Sequence, residues 1–112
     1  VTNLKIPSKI LIGGFNYSIE TGRKINDELN WADCTARVDH SSRTIQFSSN
    51  VDQIQKDNDF IHEILHCINR IYLDKDLSED VISLMANGFH QVFEQLDMHF
   101  VMKDESEKNE KE

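Results

Sequence analysis

The sequence predicts an α+β domain: a small antiparallel or mixed sheet of two β-hairpins, packed on two C-terminal helices. Three observations carry this reading. Short alternating runs bounded by glycine, serine and aspartate occupy the first half of the chain. Two long stretches with apolar residues at helical spacing occupy the second half. Strands first and helices after is an α+β order.

Residues 1–8 read as a poorly ordered lead-in. Residues 9–12 and 15–20 are β-type runs separated by Gly13-Gly14, a pair suited to a two-residue hairpin turn. Residues 21–33 are polar, with room at 24–29 for one helical turn or two, and Trp31 is expected to pack over the sheet. Residues 35–39 and 44–48 form a second hairpin, with Val38, Ile45 and Phe47 as its apolar positions and His40 as a turn residue.

Ser48, Ser49 and Asn50 offer caps to a long helix over 52–72. Residues 73–77 connect it to a second helix with Ser78 as N-cap and Glu79 and Asp80 in the first turn. Its apolar side carries Val81, Ile82, Leu84, Met85, Phe89, Val92, Phe93 and Leu96. Gly88 is the smallest residue there, placed to let two helices approach closely. Met98, Phe100, Val101 and Met102 either extend the helix or fold back on the core. Residues 103–112, KDESEKNEKE, hold no apolar side chain and are expected to be a disordered acidic tail, leaving one domain over 1–102.

The 112 residues suffice for one small core, and the net charge of −8 disfavours a nucleic-acid partner bound through a basic surface. The first residues lack a signal-peptide pattern and no apolar run is long enough for a membrane span, so a cytoplasmic chain is expected, and its acidic surface points to a basic or neutral polypeptide partner. Cys34 and Cys67 do not make a disulfide framework, and Cys67 reads as a small buried hydrophobe.

The long helix contains His62-Glu63-Ile64-Leu65-His66, the pattern H-E-x-x-H. Four residues are about 400° of helix, so the two imidazoles stack on one face while Glu63 points to a neighbouring sector. This suits a zinc ion with a carboxylate beside its water. Phe60, Ile61, Ile64, Leu65, Cys67, Ile68, Ile71 and Tyr72 form a broad apolar sector, and His62, His66 and Asn69 lie at its border.

A third protein ligand is required if the fourth position is to hold water. The metzincin continuation is absent, because Asn69 stands at its glycine and Tyr72 at its third histidine. The second helix offers Glu79 or His90, about 16 Å apart along the axis, so at most one reaches the ion. A simple hairpin turning near residue 75 favours His90. For the oxyanion the candidates are Tyr72 and His90.

With these elements in place, the chain resembles the small zincin-like metallopeptidase domains of phages and mobile elements. These are gluzincin-type proteins, distantly related to the ImmA-type immunity metallopeptidases. The likeness covers residues 6–95 and rests on KILIGGFNYSIE, DHSSRTI, FIHEILHCI and LSEDVI followed by ANGFHQVF. It departs from the ImmA-type E-x-x-A-N signature at Ser83, three residues before Ala86. The resemblance implies zinc on His62 and His66, Glu63 as general base and Glu79 as third ligand. It also implies a peptidase acting on a polypeptide, in the host cytoplasm if the chain is phage-encoded. The substrate is expected along the strand at 44–48, taken as a sheet edge. The alternative is a catalytically inactive zincin-fold module that binds a protein partner, such as a host factor.

Overall fold

A computed structural model describes residues 1–102. The expected acidic tail at 103–112 lies outside the described residues. The elements run β1 (Thr2–Ile6), β2 (Lys9–Ile12), β3 (Phe15–Glu20), α1 (Arg23–Trp31), β4 (Ala36–Asp39), β5 (Thr44–Phe47), α2 (Gln53–Tyr72), α3 (Glu79–Gln95) and β6 (Met98–Met102). The α+β class and both hairpins are present. Among the described residues no helix is long and apolar enough to cross a membrane.

The main sheet has the order β2-β3-β5-β4. Two antiparallel hairpins are joined by the parallel pair β3–β5, with Ile19 opposite Ile45. This corrects the expectation that 44–48 forms an edge: β5 is interior, and the edges are β2 and β4. Gly13 and Gly14 turn the first hairpin with φ of 58° and 82°, a region that side-chain-bearing residues enter at a cost. A Cβ at Gly13 would also collide with Ile71, so this turn rests on the last turn of α2.

The core lies between the sheet and α2. Tyr17, Ile45, Phe47 and Cys67 are buried there, with Phe60, Ile64, Ile68 and Ile71 of α2 packed against them. Burial pushes the Cys67 thiol up to about 12, which keeps it neutral, as a small hydrophobe should be. α1 buries Ile25 and Leu29, one turn apart. Trp31 is two residues beyond Leu29, about 200° round the helix, and is 92% exposed instead of covering the sheet.

The chain start forms a strand, not the expected loose lead-in. β1 pairs in parallel with β6, bringing Ile6 opposite Met102, both buried. So 98–102 leaves the helix and returns to the core, where the Phe100 ring lies 4.5 Å from Phe60 and 6.0 Å from Phe93. The anchor is Asp57, a fully buried carboxylate on α2. It accepts from Gln53 Nε2 at 2.8 Å and from the Phe100 backbone N–H at 2.7 Å, and it pairs with His99 Nδ1 at 2.9 Å. The cap of α2 is Asp52, whose side chain accepts from Gln55 N, not one of the residues at 48–50. α3 starts at Ser78 as expected and packs on α2 and β6, burying Ile82 and Ala86. Gly88 takes no part in that contact, since nothing lies within 4 Å of its side-chain position.

The Asp57 hydrogen bond raises the His99 pKa above its ordinary 6.5, so the charged form is favoured in the folded state. The resulting stabilisation is complete below pH 6.5 and is lost as pH climbs through the higher folded value. In denaturation series from about pH 5.5 to about pH 8.5, wild type should lose stability relative to His99→Gln over that window.

Candidate metal centre

His62 and His66 project from the middle of α2 with their Nε2 atoms 3.0 Å apart and their rings about three-quarters buried. The Glu79 carboxylate, in the first turn of α3, meets both. Its Oε1 lies 3.0 Å from His62 Nε2 and its Oε2 2.9 Å from His66 Nε2. His90 sits elsewhere: its Nε2 bonds Glu94 at 3.0 Å, and the two lie with Asp57 in a separate group of side chains. The Asp57 carboxylate in that group is already committed to Gln53, His99 and the Phe100 N–H.

The hairpin expected to turn near residue 75 would have set the histidines against residue 86. The chain instead doubles back. Asp74 and Lys75 both take left-handed backbone (φ 49° and 62°), and the N–H groups of Leu73 and Lys75 return to the Asn69 carbonyl. The buried Asn69 side chain then clamps Leu77 from both sides. Its Nδ2 donates to the Leu77 carbonyl at 3.1 Å, and its Oδ1 accepts from the Leu77 N–H at 3.0 Å. The connection lies beside the last turn of α2, so α3 begins level with the histidines. Further along, Asn58 meets Asn87.

Glu63 lies on the adjacent sector and is buried, with Oε2 lacking any hydrogen-bond partner. Burial, with Asp59 and Glu79 adding like charge, pushes its pKa from 4.5 to about 7. Asp59 is also raised by burial, against hydrogen bonds from Gln55 and Thr35. Burial lowers His66 below its ordinary value; Glu79 pulls it back and His62 adds to the lowering. A lowered imidazole stays neutral and keeps the lone pair that a metal needs. A cleft of about 310 Å³ opens beside the site between α2 and the edge strand β4, lined by Cys34, Thr35, Ala36, Asp59, His62 and Glu63.

Four-coordinate zinc with ligands near 2.1 Å has ligand–ligand edges of roughly 3.4 Å, close to the spacing of these three donor groups. Two imidazoles and a carboxylate are a donor set that zinc accepts. His40, read as a turn residue, lies 3.3 Å from the Tyr17 hydroxyl through Nδ1, and burial lowers its pKa. Tyr72 is exposed at the end of α2 beside Gly13. Sequence reading placed Asn69 on the border with the histidines but not its clamp, since no local pattern announces a contact with Leu77. No protein-family model, curated protein or solved structure matches the chain.

Two outcomes follow from this geometry. Asn69→Ala removes both bonds to Leu77 and should cost about 2 kcal/mol in chemical denaturation. Glu63 holds its proton to about pH 7 when folded and to about 4.5 when unfolded. Its ionisation therefore opposes folding increasingly between those values, by up to about 3 kcal/mol. With a chelator present, Glu63→Gln should be more stable than wild type near pH 8, by about 2 kcal/mol, and the gain should vanish near pH 4.5.

Proposed function

We propose that the chain is a zinc-dependent metallopeptidase. His62, His66 and Glu79 hold the ion, and Glu63 is the general base toward a polypeptide substrate. One observation carries this reading. A single carboxylate lies within 3.0 Å of both H-E-x-x-H imidazoles, next to a buried glutamate oxygen with no partner. When bound, zinc lowers the pKa of its water and polarises the scissile carbonyl.

The protein's own groups do the rest. His62 and His66 present Nε2, and Glu79 supplies the charged donor from a second helix. Glu63 takes a proton at Oε2 from the attacking water and passes it to the leaving amine. The free edge of β4 flanks the cleft and offers an extended peptide a strand to pair with. This function accords with the phage and mobile-element zincin-like domains that the sequence resembles, and with action in the cytoplasm.

Zinc content of the purified protein, paired with a cleavage assay on denatured protein, tests the proposal. Wild type should carry about one zinc. Glu79→Ala and His62→Ala should lose it, and His90→Ala should keep it. Glu63→Gln should keep zinc and lose cleavage by about 100-fold or more. A folded wild type that takes up no zinc would sink the reading. Full zinc occupancy without cleavage would leave the catalytically inactive protein-binding module instead.

A further inference from the structure

The outer face of α3 is apolar and uncovered. Val81, Leu84, Met85, Phe89 and Val92 are exposed along it, from 38% at Met85 to 70% at Leu84, and Leu96 continues the line past the helix end. At 100° per residue these positions share one sector about 140° wide, with Gly88 inside it. Ile82 and Ala86, the buried residues of the helix, lie on the next sector. Glu79 lies about 140° from the middle of the stripe.

Among the described residues Gly88 makes no packing contact that glycine is needed for. Nothing stands within 4 Å of its side-chain position, yet glycine weakens a helix interior relative to alanine. A gap in the middle of an apolar stripe is what a second helix needs to approach closely.

We propose that a second copy of this chain covers the face, with the two α3 helices crossing antiparallel about a two-fold axis near Gly88. The centre of the stripe is self-complementary about that residue: Leu84 and Val92 stand four positions to either side, while further out Val81 meets the partner's Gln95 and Leu96 the partner's Asp80. Antiparallel pairing sets Leu84 against the partner's Val92, and the reverse, as a two-fold contact requires.

Gln95 lies within the stripe and Gln91 on its border, with Asp80 at one end and the exposed Asp97 next to Leu96 at the other. The centre of the face therefore carries no charge, and like charges of two chains of net charge −8 meet only at its ends, which keeps the pairing weak. The exposed side chains of the stripe amount to roughly 600 Å² per protomer, so a pair could bury at most about 1,200 Å² here, the low end for a specific interface and in keeping with a weak dimer.

Sedimentation equilibrium of the chain from about 1 to about 200 μM is the test, a range that brackets a micromolar dimer. A monomer–dimer equilibrium is expected, weakened at least about tenfold by Leu84→Glu or Val92→Glu. Both positions are exposed, so circular dichroism should show these variants folded. Leu11→Glu, exposed on β2, should leave the dimer unchanged. Gly88→Ala should weaken the dimer by itself, yet raise the melting temperature in the monomeric Leu84→Glu background. A chain monomeric throughout overturns the proposal, as it would if an unrelated protein were the natural occupant. So does a dimer indifferent to both glutamate substitutions, or one equally weakened by Leu11→Glu.

Discussion

The paired hydrogen bonds between the Asn69 side chain and the Leu77 backbone set the position of everything that follows α2. A six-residue connection can leave a helix end in many directions. Here two consecutive left-handed residues reverse it, and a buried amide holds it against the helix it has just left. The register of α3 on α2 is thereby shifted toward its own N-terminus. The shift brings Glu79, not His90, to the two imidazoles. It also decides which side of α3 remains uncovered.

The parts of this arrangement that were legible in the sequence are those written in local patterns. Gly13-Gly14, the Ile45 and Phe47 alternation, the α2 stripe and the Ser78 cap each act within a few residues. Each produced the element expected of it. What escaped depends on contacts distant in sequence. β1 and β6 pair across almost the whole chain, and Leu4 and Ile6 give too short an alternation to stand out. Trp31 looked like a core residue by type, but the phase of α1 is set by Ile25 and Leu29 and turns it outward. Within the site, spacing alone placed the histidines and Glu63 on α2. Hairpin geometry favoured His90 and the resemblance Glu79; the path of the connection, whose shape depends on Asn69, is what brings Glu79 beside the imidazoles.

Asp57 does for the far end of α2 what Asn69 does for the near end. Its carboxylate has no exposure to water, and three donors take the place of its hydration. Two of those donors belong to β6, so one buried charge ties the returning strand, and through it β1, to the helix that bears the histidines. The rest of that junction is aromatic, with Phe100 between Phe60 and Phe93. A polar anchor inside an apolar junction fixes the depth and register of β6, which ring packing alone leaves loosely specified.

Two glutamates near the histidines sit in opposite environments, and the difference argues for a division of labour. Glu79 is 62% exposed and its oxygens are both engaged by imidazole nitrogens. Glu63 is buried, its Oε2 has no hydrogen-bond partner, and in the metal-free chain its pKa is raised to about 7. A folding optimum would not leave a carboxylate desolvated beside two others, because each of those features opposes its ionisation. Its neighbour on the sheet side, the cleft along β4, is where a proton acceptor would act. A metal ligand needs to be ionised and accessible, whereas a general base needs a pKa near the working pH. On the proposed reading, contact with both imidazoles assigns Glu79 to the ion, and burial without a partner assigns Glu63 to the proton. The helix supplies the difference, since Glu63 follows His62 by one residue and turns inward by about 100°.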